Sequence, residues 1–221
     1  MIRIERLIEQ TNLKPTVVDR DIENLVSSAV EYGFFGICVS PFWVKKAKRD
    51  IGNLPIQLIT VIGFPLGYNM TEVKIKEMDM AIEGGVDEID LVMNISAFKS
   101  GMNWAKIEIA KCAQLAHENE KIIKVIIETA CLTKDEIVRA AKICQDAGAD
   151  FVKTSTGFAA HGARIEDVKL LRNSLASDVR IKASGGIETL EQVEAFITAG
   201  ADRIGTSRGI EIMKSLKLVQ K

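Results

Sequence analysis

Three lysines interrupt apolar, strand-like runs: Lys124 in IIKVII, Lys153 in FVKTS and Lys182 in RIKAS. One lysine at a strand end can lay its stem on apolar surface and keep its ammonium in water. Three on what read as consecutive strands converge if those strands close a common interior. Converging ammonium groups in a partly dry site disfavour one another's charge, so at least one pKa falls. A lysine that is neutral part of the time is a nucleophile for carbonyl carbon. A charged neighbour and a carboxylate can then move protons as general acid and base. Lys153, Lys182 and Asp90 supply that set. The chemistry is imine formation, which calls for no metal and no other cofactor. Only two histidines occur, His117 and His161, and neither sits among closely spaced ligands. A zinc centre built on several imidazoles is therefore not expected.

Small residues suggest the second half of a site. Gly185-Gly186 follows RIKAS, and Gly205-Thr206-Ser207-Arg208-Gly209 follows the last strand-like run. In eight-stranded α/β barrels the loops after the seventh and eighth strands, with a short helix N-terminus, hold phosphate. Small residues there let backbone N–H groups approach the anion. Neither G-x-G-x-x-G nor G-x-x-x-x-G-K-[ST] occurs, so nucleotide cofactors are not expected.

The elements that must position these residues alternate along the chain. Strands are expected at Gly36–Val39, Gln57–Ile62, Glu88–Met93, Lys121–Ile127, Phe151–Lys153, Arg180–Ala183 and Arg203–Gly205, with a weaker one at Leu7–Thr11. All are short and rich in Ile and Val, as strands buried on both faces are. Helices are expected near Asp21–Tyr32, Pro41–Asp50, Thr71–Glu83, Trp104–Ala116, Lys134–Ala147, Ile165–Leu175, Leu190–Ala199 and Glu211–Leu218. Thr133 with Glu136 three residues on has the form of a capping box. Eight alternations imply a parallel sheet with right-handed crossovers.

An internal repeat narrows the α/β class to a (β/α)8 TIM barrel. The segments GFFGIC (Gly33–Cys38), GVDEID (Gly85–Asp90), GADFVK (Gly148–Lys153) and GADRIG (Gly200–Gly205) align. Each leading glycine suits a left-handed helix end. The sixth positions are Cys38, Asp90, Lys153 and Gly205, on the second, fourth, sixth and eighth strands. One interior layer of such a barrel takes its side chains from alternate strands. A carboxylate and a lysine are thereby expected together inside, beside a small thiol and the gap left by a glycine.

Composition bounds the partners. With 221 residues, 47% hydrophobic and 27% charged, residues 1–221 read as one domain with a sizeable core. A net charge of −1 and no dominant basic cluster argue against nucleic acid or an anionic membrane as partner. The four cysteines, Cys38, Cys112, Cys131 and Cys144, form no C-x-x-C pair, and no apolar leader precedes the first motif. Reduced thiols in the cytoplasm are expected. The apolar runs are too short to span a bilayer.

The segments CVSP (Cys38–Pro41), VIGFPLG (Val61–Gly67), EIDLVMN (Glu88–Asn94), KVIIET (Lys124–Thr129), DFVKTSTGF (Asp150–Phe158), KASGGI (Lys182–Ile187) and RIGTS (Arg203–Ser207) appear in order over most of the chain. Together they resemble the motifs of the deoxyribose-phosphate aldolase family. The resemblance implies reversible cleavage of 2-deoxy-D-ribose 5-phosphate to D-glyceraldehyde 3-phosphate and acetaldehyde, in deoxyribose phosphate breakdown. It implies only small-molecule partners and a homodimer or homotetramer. Carried over by motif, Lys153 forms the Schiff base. Lys182 depresses its pKa and joins the proton relay, which Asp90 shares through a water. Cys38, Lys124 and Thr154 would line the substrate pocket. Gly157, Gly185, Gly186, Gly205 and Ser207 would hold the phosphate.

Several positions depart from the family pattern. Glu9 stands where the first strand usually carries an aspartate, and Glu188 stands where an arginine is common. Arg208 is expected to offset Glu188, by pairing with it or by contacting the phosphate. The final LKLVQK (Leu216–Lys221) lacks the longer tail and terminal tyrosine of some members. His161 is expected to be a loop residue and not a catalyst.

Overall fold

The structure is a computed structural model and describes residues 3–219, so Gln220 and Lys221 of the final segment lie outside it. Eight parallel strands close into a barrel in sequence order. They are β1 (Ile8–Asn12), β2 (Gly36–Val39), β3 (Gln57–Ile62), β4 (Glu88–Val92), β5 (Ile122–Ile126), β6 (Phe151–Lys153), β7 (Arg180–Ser184) and β8 (Arg203–Thr206). β1 pairs with both β2 and β8, which seals the ring and leaves no open sheet edge.

Around the barrel run α1 (Asp19–Tyr32), α2 (Val44–Ile51), α3 (Thr71–Glu83), α4 (Ile95–Lys99), α5 (Trp104–Glu118), α6 (Lys134–Asp146), α7 (Ile165–Ser174), α8 (Leu190–Thr198) and α9 (Gly209–Val219). The capping box forms at α6: Thr133 Oγ1 accepts from Glu136 N–H at 3.3 Å, and Glu136 Oε2 accepts from Thr133 N–H at 2.9 Å. The four repeat glycines all have positive φ, from 70° at Gly33 to 107° at Gly200. α4 has no counterpart among the expected helices. It is a short turn made possible by Asn94, whose side chain accepts from Ala97 N–H at 3.0 Å.

Strand alternation sorts the side chains. Ile37, Leu58, Ile89, Leu91, Ile123, Val125, Ile181 and Ile204 face the helices and form the main core. A small apolar cluster of Cys38, Ile59 and Val61 belongs to the two strands after β1. The opposite faces of β1 and of β4 to β8 carry charge: Glu9, Glu88, Asp90, Lys124, Lys153, Lys182 and Arg203, all buried. A separate buried pair, Lys74 with Glu108 at 2.7 Å, joins α3 to α5, and Lys74 also donates to the Val92 carbonyl at 2.9 Å.

Candidate active site

Asp90 is the hub of the interior charges. Its Oδ2 accepts from Lys153 Nζ at 2.7 Å and from Lys182 Nζ at 2.6 Å, and its Oδ1 accepts from Lys124 Nζ at 3.0 Å. Register explains the meeting: Lys153 is paired with Lys182 on β6 and β7, and Asp90 with Lys124 on β4 and β5. The carboxylate reaches both lysines directly, where the sequence suggested an intervening water. Lys182 also bonds to Glu9. Arg203 reaches Glu9 at 3.1 Å and Glu88 at 3.5 Å, and Lys124 reaches Glu88 at 2.5 Å.

Charge counting within this cluster singles out one amine. Three carboxylates, Glu9, Glu88 and Asp90, face four cationic side chains, Lys124, Lys153, Lys182 and Arg203. Lys124, Lys182 and Arg203 each touch at least two carboxylates, whereas Lys153 touches only Asp90, which it shares with two other lysines. Burial of unpaired charge is costly, so the interior is balanced when Lys153 is neutral.

The pKa directions follow the same logic. Burial pulls Lys153 below the usual lysine range; Asp90 opposes this and Lys182 reinforces it. Burial also acts against Lys182 and Lys124, but Asp90 and Glu9 outweigh it and hold both amines above that range. Burial alone would push Asp90 up, yet Lys124, Lys153 and Lys182 hold its carboxyl well below the usual range. Glu9 is likewise held low, by Lys124 and Lys182 against burial. Desolvation is thus the largest cause of the lowered Lys153 pKa, and the cationic neighbour is a secondary one.

The cluster opens upward into a cleft of about 280 Å³ at the C-terminal ends of the strands. Its walls include Lys153, Gly157, Gly185, Gly186, Gly205 and Ser207. Gly205 has a further function. A Cβ there would lie 3.0 Å from Lys182 Cε, so the glycine leaves room for that lysine's stem. Cys38, Lys124 and Thr154, expected on the wall, are fully buried and absent from it. Lys124 is drawn down by its carboxylates. Thr154 turns its hydroxyl to the Ser184 carbonyl at 3.3 Å. Cys38 lies near Lys182, Asp90 and Lys153, and burial pushes its thiol up to about 11.

The other end of the cleft corrects the expectation for Arg208. Its guanidinium points away and pairs with Glu211 at 3.2 Å, because Arg208 immediately precedes α9 and Glu211 lies exposed on the first turn of that helix. Glu188 lines the cleft, and the cation there besides Lys153 is Lys14, from the loop after β1. His161 is a loop residue whose Nδ1 meets the Gly162 carbonyl at 2.9 Å.

Three participants escaped the sequence reading, Glu88, Arg203 and Lys14, and Glu9 stood out there only as a departure from the family pattern, with no role assigned. Two left a readable signal. Glu88 precedes Asp90 by two residues and Arg203 precedes Gly205 by two, so strand alternation puts each on the inner face. Glu9 pairs in register with Gly205 of β8, a neighbour relation that only barrel closure creates.

Comparison with known proteins completes the description. A family model described as DeoC/LacD family aldolase matches residues 6–215. A deoxyribose-phosphate aldolase from Thermococcus kodakarensis is 48% identical over 214 residues, covering 96% of each chain. The solved structure of an aldolase designated QR15 superposes with a TM-score of 0.94 at 41% identity over the full length of both chains. The tetrameric deoxyribose phosphate aldolase of Aeropyrum pernix gives a TM-score of 0.91 at 32% identity, covering 98% of this chain and 92% of the other.

Proposed function

The chain belongs to the DeoC/LacD family of aldolases, and on that premise we propose that it cleaves 2-deoxy-D-ribose 5-phosphate reversibly through an imine on Lys153. The products are D-glyceraldehyde 3-phosphate and acetaldehyde, and the role is deoxyribose phosphate breakdown. The observation that carries the assignment of the nucleophile is the charge count: Lys153 is the one cation of the cluster that touches a single carboxylate, and two other lysines share it.

In the cleavage direction the neutral Lys153 amine adds to the aldehyde carbon of the open-chain sugar. A proton moves from nitrogen to oxygen, and the resulting hydroxyl leaves as water after taking a proton from the Lys182 ammonium. The iminium draws electrons from the C2–C3 bond as the C3 hydroxyl gives its proton to the Lys182 amine, left neutral by the loss of water. Glyceraldehyde 3-phosphate departs, and an enamine remains on Lys153. The Lys182 ammonium protonates C2, and water then adds to the iminium, releasing acetaldehyde and the neutral Lys153 amine and returning a proton to Lys182. Asp90 stays ionised throughout, because three lysines hold it low, and it keeps Lys153 and Lys182 on a common oxygen. A shared contact of this kind lets a proton pass between the amines without a diffusing carrier.

The phosphate is read at the other end of the cleft, by the loops after β7 and β8 with Gly157 and Ser207. Lys14 supports the same reading by supplying positive charge to the cleft that Glu188 also lines. Four free cysteines support a cytoplasmic location. Among the described residues no helix is long and apolar enough to cross a membrane. A homodimer or homotetramer is supported by an apolar groove between Pro41–Ile51 and α3, where Phe42, Val73 and Met80 are exposed.

Borohydride trapping with acetaldehyde, followed by peptide mass mapping, tests the proposal. The expected result is a two-carbon adduct on the peptide containing Lys153, together with turnover of deoxyribose 5-phosphate. An adduct confined to Lys124 or Lys182, or none at all, would overturn it.

A further inference from the structure

Glu128 sits at the end of β5 and plays no part in the mechanism so far. Its backbone is left-handed, with φ at 52°, a region that non-glycine residues occupy only where their surroundings impose it. Its side chain is buried, with 4% of its surface exposed. Oε2 accepts from the backbone N–H of Thr156 at 3.1 Å and also from the Thr156 hydroxyl. Oε1 is buried and has no partner in the protein. The carboxylate is thus held to the rest of the protein through Oε2 and Thr156.

The bond to Oε2 fixes the direction of the Thr156 hydroxyl. A carboxylate can only accept, so the proton of the Thr156 hydroxyl points at Glu128. The hydroxyl oxygen already accepts the Phe158 N–H at 3.1 Å. One lone pair is left, and Thr156 lines the same cleft as Lys153. The cleft therefore meets this hydroxyl as an acceptor, never as a donor. The charge-assisted bond behind it makes the oxygen a better acceptor than an ordinary threonine.

We infer that Glu128 is a positioning residue that fixes Thr156 as the acceptor for the hydroxyl formed when the Lys153 amine adds to the aldehyde. That hydroxyl carries a proton to donate. Held by Thr156, its oxygen has a lone pair free to take the proton of the Lys182 ammonium; the C–O bond then breaks and water leaves. A Thr156 free to rotate would offer its own proton to the same oxygen and compete with Lys182. The inference rests on the reading of Lys153 as the imine-forming amine.

The test is the rate of imine formation with acetaldehyde, trapped with borohydride at intervals and mapped to Lys153. It compares the parent chain, Thr156→Val, Glu128→Met, whose side chain cannot accept these bonds, and the double variant. Each single substitution is expected to slow trapping about tenfold or more. The double variant is expected to match Thr156→Val, because Glu128 acts only through that hydroxyl. Thr156→Ser, which keeps the hydroxyl, is expected to recover most of what Thr156→Val loses. The acidic limb of the pH profile should stay in place, since the charges around Lys153 are untouched. Losses that multiply in the double variant, or a Glu128→Met chain at parent speed, would overturn the inference. Should Glu128→Met fail to fold, equal rates in Thr156→Val and Thr156→Ser would overturn it instead. A parent chain with no adduct on Lys153 would defeat the imine reading itself, an outcome distinct from either.

Discussion

Replacing Lys153 with methionine is expected to lower turnover by about four orders of magnitude or more while leaving the thermal midpoint at or above that of the parent chain. The loss follows from removal of the nucleophile. The retained stability follows from the charge count. Without Lys153 the interior still holds three carboxylates and three cations, all in contact. Methionine fills the stem's volume and carries no proton that burial must strip away. The sign of the pH dependence checks this. The folded-state pKa of Lys153 is lowered, so the native chain binds fewer protons there than the unfolded chain does. Its stability therefore gains with pH from the lowered folded value up to the unfolded value near 10.4. The advantage of the methionine variant should shrink over that interval. Thermal melts of both chains at several pH values measure it, and a variant markedly less stable than the parent at neutral pH would refute the count.

The same substitution at Lys182 should behave in the opposite way. Lys182→Met is expected to lower kcat by about 10²–10⁴-fold, through loss of the general acid. It should also move the acidic limb of the rate profile to higher pH. Removing this ammonium takes away a repulsion that favours neutral Lys153, and it leaves Asp90 freer to hold the Lys153 proton. Both effects raise the Lys153 pKa. Burial remains, so the amine should not return to the ordinary lysine range. Three carboxylates would then face only two permanent cations, and Lys153 would become the third by keeping its proton. Breaking a buried pair by removing one partner costs about 3–5 kcal/mol, a loss that proton uptake at Lys153 would partly offset. A limb that stays in place would leave desolvation as the sole cause of the lowered pKa. Rate–pH profiles of parent and variant decide between the two.

Much of this was legible from residue types alone. Lys124, Lys153 and Lys182 are charges inside apolar strands, and the glycine-led repeat set their register against Asp90. The eight strands could be placed within a residue or two for the same reason: strands buried on both faces are short Ile- and Val-rich runs bounded by glycine. Glu88 and Arg203 were obscured because they begin their strands, where a charge reads as solvent-facing. Glu9 was obscured because its partners are Lys182 and Arg203, more than 170 residues away. Proximity of that kind exists only after the ring closes. Arg208 was misplaced because position in a loop does not fix direction, and Glu211, three residues on in the first turn of α9, captures it.

The distribution of interior charge along the chain has one further consequence. Every carboxylate of the cluster, Glu9, Glu88 and Asp90, lies on the first four strands, and every cation, Lys124, Lys153, Lys182 and Arg203, on the last four. A polypeptide cut in the turn before Trp104 would yield one acidic-lined and one basic-lined half. Neither could dimerise with itself without burying like charges against each other. Mixed together, the halves should recognise each other as a hetero-pair. Size exclusion of separately produced fragments would reveal this, and a stable homodimer of either fragment would contradict it.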